Sequence, residues 1–283
     1  MTSRGLDPHH RAAYEYWFWT FHAGRLAFLV DMILRRRDGT AEVRVSLWLD
    51  GVGRVLHHVV PDAEASEDSV TIGEARLGLD GSTGAVEDVA WDLRWMLDGP
   101  AIDPLPGWMT RLHALDLEFR LQPRVRFTGN VTVGDETFAV DDPGSMTQYW
   151  GRRLSDAWLW IAATRFEGEP DRRMEVIVGR SRLWGAIPMP MSVAFAWLTD
   201  GSRAELHVSP LTGLIRARRA DDGWRVDLAR LDGQRHRIVA RPNASTANDL
   251  GEGIHQTLLG DVVVDGVRAV TGTAGIETRA WPL

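Results

Sequence analysis

The chain contains no cysteine and no lysine in 283 residues. The first absence excludes a disulfide framework, a thiolate nucleophile and a Cys-based zinc site. The second excludes Schiff-base chemistry, pyridoxal phosphate anchored on lysine and a P-loop lysine. Every basic residue is therefore arginine, a group that stays protonated in proteins. Long apolar runs are also missing. No stretch of about 18 apolar residues is present, so no membrane span is expected. The N-terminal "MTSRGLDPHHRAAYEYW" carries no apolar run of signal-peptide type, and a cytoplasmic location is expected. Long amphipathic helices are scarce. The best helical candidate, "EDVAWDLRWMLDG" at 87–99, fits equally well as a strand with Trp91, Leu93 and Trp95 on one face.

What the chain does contain is tryptophan, thirteen in all, and 44% hydrophobic residues, enough to bury a large core. The formal charge is -7. That balance argues against nucleic acid as a partner, which needs a basic stripe. The arginine runs "LRRRDG" and "IRARRADDG" read as solvated strand ends beside turns.

Short runs rich in Val, Leu, Ile, Trp and Phe recur between Gly, Asp and Pro punctuation, the pattern of an all-β fold of antiparallel strands. Val43, Val45, Leu47 and Leu49 alternate with Arg44, Ser46 and Trp48. Trp224, Val226 and Leu228 alternate with Arg225 and Asp227. "DG" and "DDG" close several runs as hairpin turns do. The Asp-, Pro-, Gly- and Ser-bearing stretch at 138–148 reads as a boundary between two β-rich domains, 1–140 and 141–283. Each opens on an aromatic strand, "YEYWFWTFHAG" and "DAWLWIAATRFEG". In the first, Glu15, Trp17, Trp19 and Phe21 share one face, and Tyr14, Tyr16 and Phe18 the other. In the second, Trp158, Trp160 and Ala162 share a face against Leu159, Ile161 and Ala163. Both faces are apolar, so each strand should be buried on both sides.

Two motifs carry a family resemblance. One is the acidic-aromatic strand "YEYWFWTF". The other is the Trp-Gly dipeptide, spacer, W-x-W and Phe-Glu-Gly order of "YWGRRLSDAWLWIAATRFEG", with the closing "GTAGIETR" as a weaker third. With these the chain resembles the superfamily of carotenoid 1,2-hydratase and tocopherol cyclase, which includes lipocalin-like Diels–Alderases. The resemblance implies two lipocalin-like antiparallel β-barrel domains packed side by side, with an apolar pocket. It also implies non-redox chemistry on polyenes or polyketide-like molecules, without an organic cofactor or a metal. No position matches a catalytic acid of that group.

The candidate site residues come from strand faces and loops. Trp17, Tyr149, Trp150, Trp158, Trp160 and Trp197 are candidate substrate-binding residues. Aromatic faces hold a folded polyene or stabilise a developing cation. Glu15 and Asp31 sit inside apolar runs, where burial raises a carboxyl pKa toward that of a proton donor. Glu252 and His255, with Asp249, would converge if "DLGEGIHQTLLG" forms a helical turn. The paired histidines of "DPHH" and "LHHVV" are poor chelators, since adjacent strand residues point to opposite faces. "IPMPM" at 187–191 reads as a pliable loop or pocket lip. The expected function is a cofactor-free cyclase of a hydrophobic polyene or polyketide-like substrate, by [4+2] closure. Acid-initiated hydration or cyclisation, or a non-catalytic carrier, are the alternatives. The oligomeric state is not set by these features.

Overall fold

The computed structural model describes residues 12–61, 63–103, 105, 111–112, 114–188, 192–199, 203–208 and 213–279, with side chains left undescribed at 117, 192–199, 203–208 and 215. The described residues are overwhelmingly strand. They fall into two compact units, one of residues 1–50, 54–102 and 119–153, the other of residues 51–53, 103–118 and 154–283.

The first unit contains eleven strands: β1 (Tyr14–Ala23), β2 (Leu26–Arg35), β3 (Thr40–Leu49), β4 (Val52–Val60), β5 (Glu64–Ala65), β6 (Ser69–Ile72), β7 (Ala75–Gly78), β8 (Gly81–Val86), β9 (Val89–Leu97), β10 (Leu117–Val133) and β11 (Glu136–Gly151). They pair in the order β4-β3-β2-β1-β11-β10-β9-β8-β7-β6-β5. The sheet curls, because β3 packs close to β6 and β8 although it lies far from them in that order. One core fills the concave side. Trp17, Trp19 and Phe21 of β1 meet Val43 and Val45 of β3, Val70 of β6, Trp91 and Trp95 of β9 and Phe127 of β10 there. Fully burying each large apolar side chain contributes roughly 1.5–3 kcal/mol.

The 87–99 segment resolves as strand β9. Its burial alternates, with Val89, Trp91, Leu93 and Trp95 inward, and a two-residue period decides against a helix. The hairpin between β3 and β4 turns on Asp50 and Gly51, φ 51° and 83°. Two consecutive positive φ values are what a two-residue turn requires, and Asp-Gly supplies them.

The stretch at 138–148 is a correction to the sequence reading. It forms the middle of β11 and not a linker. Its turn-forming residues are each accommodated locally. Arg126 holds Asp141 through two hydrogen bonds of 2.7 and 2.8 Å. Pro143 lies just beyond the last pair that β11 makes with β1, Phe21 with Gly144. At Gly144 a Cβ would fall 2.6 Å from the Phe127 ring, so the close approach selects glycine.

The second unit contains β12 (Ala157–Ala163), β13 (Arg173–Arg180), β14 (Arg182–Leu183), β15 (Ile187–Pro188), β16 (Ser192–Thr199), β17 (Arg203–Val208), β18 (Gly213–Ala220), β19 (Gly223–Arg230), β20 (Arg235–Arg241), β21 (Asn248–Asp249), β22 (Ile254–Val264), β23 (Val267–Arg268) and β24 (Ala274–Arg279). Its main sheet runs β17-β16-β13-β12-β24-β22-β20-β19-β18. Leu159 and Ile161 of β12, Val226 of β19, Ile238 of β20 and Val262 of β22 share its core. Both sheets are curled, open, antiparallel half-barrels, the all-β, lipocalin-like build that the sequence motifs imply. The strand β15 contains Ile187 and Pro188 in a short hairpin with β14. The rest of the predicted lip, 189–191, lies outside the described residues, as does the "DPHH" pair.

Candidate functional site

In the first unit, β11, β1, β2 and β3 turn alternate residues away from the core, and the register arranges these in rows. One row is Tyr149, Tyr16, Ile33 and Glu42. The next is Thr147, Phe18, Asp31 and Arg44. The third is Ser145, Thr20, Leu29 and Ser46. All but Arg44 are buried. These strands are therefore buried on both faces, as the sequence of β1 predicted.

Three kinds of group meet on this surface. The first is an aromatic column. Tyr16 and Tyr149 stack at 4.5 Å and 7°, Phe18 lies 5.9 Å from Tyr149, and Tyr14 meets Tyr16 edge-on at 5.6 Å. Phe119 of β10 extends the column, 5.7 Å from Tyr149. Burial pushes the Tyr14 phenol well above its ordinary pKa, so it keeps its proton.

The second kind is charged. Arg44 Nε donates to Asp31 Oδ2 at 2.7 Å. Burial raises the Asp31 carboxyl, and the Arg44 guanidinium only partly opposes that. On the next row Glu42 accepts from Arg35 at 2.5 Å and meets His57 Nδ1 at 3.0 Å. Burial alone would raise Glu42 too, but the hydrogen bonds from Arg35 and His57 outweigh it and hold the carboxyl below its ordinary value. Neighbouring strands thus carry two carboxyls shifted in opposite directions.

The third kind is a row of hydroxyls. Thr20, Ser46 and Ser145 are 4%, 0% and 1% exposed, and none of the three has a hydrogen-bond partner among the described residues. Leaving a buried hydroxyl unpaired costs about 1–3 kcal/mol. Three in one row concentrate unused hydrogen-bonding capacity at one level of the sheet.

Glu15 is on the opposite, core-facing side of β1. It is 0% exposed, accepts from Arg36 at 2.9 Å and from Gln148 at 3.2 Å, and pairs across the sheet with Trp150. Trp17, also 0% exposed, sits beside it with its indole N–H unpartnered among the described residues. So Glu15, Trp17 and Trp150 come together at one end of the first core, separate from the face that holds Asp31 and Tyr149.

In the second unit Trp158 and Trp160 turn away from the core that Leu159 and Ile161 enter. Both are buried, and both indoles are engaged. Trp158 Nε1 donates to Glu277 at 2.7 Å, and Trp160 Nε1 donates to Glu175 at 2.9 Å. Gln256 also donates to Glu277, at 2.6 Å, and the Arg279 guanidinium lies 5.3 Å over the Trp158 ring. Trp197 lies in β16 opposite Met174 and Glu205, and its side chain is outside the described residues.

The helical turn expected at 249–255 does not form, which corrects the sequence reading. Asp249 pairs with His255 across β21 and β22, and Glu252 caps the turn between them at φ 53°. The glycines on either side, Gly251 and Gly253, favour the tight reversal over helix. Glu252 and His255 are both exposed, and Glu252 accepts from Arg279 at 3.0 Å. Among the described residues no group of three or more His, Asp or Glu is placed to hold a metal ion. No helix among them is long and apolar enough to cross a membrane.

Sequence reasoning missed the hydroxyl row and the carboxylates Glu175 and Glu277. The signal for the first was a small polar residue inside an otherwise apolar face, as at Thr20 and Ser46. Finding the second needed the pairing of β12 with β13 and β24.

No protein-family model matches the chain. No curated protein matches it either. Solved structures do. The AttH-type protein NE1406 of Nitrosomonas europaea superposes with a TM-score of 0.69 at 12% identity, over 100% of this chain and 97% of the other. Kievitone hydratase of Nectria haematococca gives 0.63 at 10% identity, over 96% and 90%. CghA gives 0.63 at 14% identity, over 98% and 91%, and its structure with Sch210972 gives 0.60. The likeness is one of fold. It spans nearly the whole of each chain, and it is the lipocalin-like fold that the motifs of β1, β12 and β24 pointed to.

Proposed function

We propose that the protein is a cofactor-free, non-redox cyclase of natural-product biosynthesis. Its substrate would be a hydrophobic, oxygen-bearing polyene or polyketide-like chain laid along the face of β11, β1, β2 and β3, and the ring would close by [4+2] addition. The observation that carries this reading is the row of unpartnered hydroxyls at Ser145, Thr20 and Ser46, beside the Tyr149, Tyr16 and Phe18 rings. The rings pack an apolar chain and the hydroxyls hold its oxygens. A [4+2] closure turns three π bonds into two σ bonds and one π bond, and moves no proton or electron. Such a reaction needs a folded pose and donors that polarise a dienophile carbonyl. Tyr14, whose phenol stays protonated, is a donor on the same face. The fold shared with CghA, which was solved with Sch210972, supports the same reading.

A second reading is favoured by Asp31. Its carboxyl is raised by burial and stands across from Phe18, an arrangement for protonating an alkene and stabilising the cation beside an aromatic ring. The fold shared with kievitone hydratase agrees with it.

Native mass spectrometry of the protein from its producing cells, with the released molecule characterised, gives the precursor to test. In the [4+2] reading Tyr149→Ala lowers turnover roughly tenfold or more, and Asp31→Asn is slowed but active. In the acid reading Asp31→Asn abolishes turnover and solvent deuterium enters the product. A ligand that returns chemically unchanged makes the protein a carrier. Turnover unaffected by substitutions at Tyr149, Thr20 and Asp31 would place the site elsewhere.

A further inference from the structure

The arginine run of β18 was read from sequence as a solvated strand end, and the register shows what it joins. On the side of β18, β19, β20, β22 and β23 away from the core, three rows line up. Leu214, Ala229 and Arg235 form the first, and Arg216, Asp227 and Arg237 the second. The third crosses all five strands as Arg218, Arg225, Val239, Val263 and Arg268. Six arginines thus share one face of a chain whose net charge is -7.

Apart from Asp221 in the β18–β19 turn and Asp261 of β22, which accepts from the Gly272 amide, the nearby carboxylates are taken up by arginine or histidine. Asp227 accepts from Arg225 at 2.9 Å and from Arg237 at 2.8 Å, with Arg218 at 4.0 Å. At the turns, Asp222 pairs with Arg241, Asp232 with Arg230, and Asp265 with His236 and the Arg237 amide. Arg216, Arg235 and Arg268 are exposed and have no carboxylate partner among the described residues. At the Leu214 end of this face stand the two most exposed large apolar side chains among the described residues, Leu214 at 77% and Leu231, in the β19–β20 turn, at 82%.

We propose that this face docks on an anionic phospholipid bilayer. The guanidiniums would bind lipid phosphates, to which their planar forks are matched. Leu214 and Leu231 would enter the interface between headgroups and acyl chains. The charge alone would suit any polyanion. The leucines select the lipid surface, since a nucleic-acid backbone offers them nothing to bury. The inference does not depend on the reaction proposed above, although a hydrophobic substrate dissolved in a membrane would be within reach of a protein held there.

Sedimentation of the full-length protein with vesicles tests it. Binding is expected to phosphatidylcholine vesicles containing phosphatidylglycerol and not to phosphatidylcholine alone, and it should weaken with added salt. The triple variant R216Q/R235Q/R268Q, with the Asp227 cluster intact and an unchanged melting temperature, should bind roughly a hundredfold more weakly. The pair L214S/L231S should also bind more weakly, yet keep the salt dependence. Absent binding to the anionic vesicles at low salt overturns the proposal. So does binding that both variants retain in full. Tighter binding to a short DNA duplex than to the vesicles, lost in the triple variant, reassigns the face to nucleic acid and also overturns it.

Discussion

Each unit turns a buried aromatic surface away from its own core, and the two surfaces differ in how their polar groups are settled. In the second unit both indoles donate to carboxylates, Trp158 to Glu277 and Trp160 to Glu175, and Arg279 covers one ring. In the first unit the rings stack on one another, while three hydroxyls in the next row have no partner among the described residues. Tryptophan abundance therefore does not by itself mark a binding surface. Indoles bonded to neighbouring carboxylates help hold the fold in one arrangement, whereas a row of buried hydroxyls without partners keeps bonding capacity in reserve.

The largest effect that would sharpen this contrast is expected at Trp160. Trp160→Phe keeps an aromatic ring but takes a charge-assisted hydrogen bond from Glu175, which is 0% exposed. A loss of about 2–3 kcal/mol is expected in urea unfolding. Trp158→Phe should cost less, about 1 kcal/mol, because Glu277 is partly exposed and keeps Gln256 as a donor. Equal costs for the two would mean that Glu175 is settled by other groups and that this surface is less finely balanced than the hydrogen bonds imply.

An intermediate effect separates Asp31 from Glu42. Glu42 is held below its ordinary value, so its contribution to stability is present above about pH 4.3 and is lost as the pH falls below it. Asp31 is raised, so the sign reverses. Its contribution is present below about pH 3.9 and is lost as the pH rises through that value toward its folded-state pKa. Urea midpoints measured across the acid range should show Glu42→Gln flattening the loss of stability toward low pH. Asp31→Asn should steepen it. The same direction of change in both variants would remove the distinction drawn between the two carboxyls.

The hydroxyl row should show almost no effect on stability. Thr20→Val, Ser46→Ala and Ser145→Ala each remove a group that has no bond to lose. The expected change in unfolding free energy is within about 0.5 kcal/mol, or a gain of up to about 1 kcal/mol. Binding of the co-purifying ligand should weaken in the same variants. A destabilisation of 2 kcal/mol or more, read against the roughly 1 kcal/mol of an ordinary hydrogen bond, would show that the hydroxyls are already engaged.

Much of this was legible in the sequence, for reasons that can be traced. Alternation at Val43, Val45 and Leu47, and at Trp224, Val226 and Leu228, gives both the strands and the faces, because a strand repeats every two residues. The double-sided apolarity of β1 and β12 marked them as central strands. The stretch at 138–148 misled because Asp, Pro and Gly are turn formers by local preference, and only the partner strands that accept them, through Arg126 and the Phe127 ring, override that preference. The polar partners were not legible at all. Glu277 lies 119 residues from Trp158, and the row of Ser145, Thr20, Leu29 and Ser46 is assembled from four strands. No local pattern records a long-range register.

The smallest effect is expected where the sequence offered its most catalytic-looking residues. Asp249, Glu252 and His255 are chemically suited to acid–base work. The structure spreads them over a tight hairpin, where Asp249 accepts from the Gly251 amide at 2.9 Å and Glu252 pairs with Arg279 in the open. An exposed pair of this kind contributes about 0–1 kcal/mol and is screened by salt. His255→Ala and Glu252→Gln should therefore leave unfolding free energy within about 0.5 kcal/mol, and turnover of the precursor unchanged. A large fall in turnover in either variant would move the reacting centre to the second unit. The indole–carboxylate surface there would then have to be read as part of the site, and the hydroxyl row of the first unit would lose its claim to the substrate.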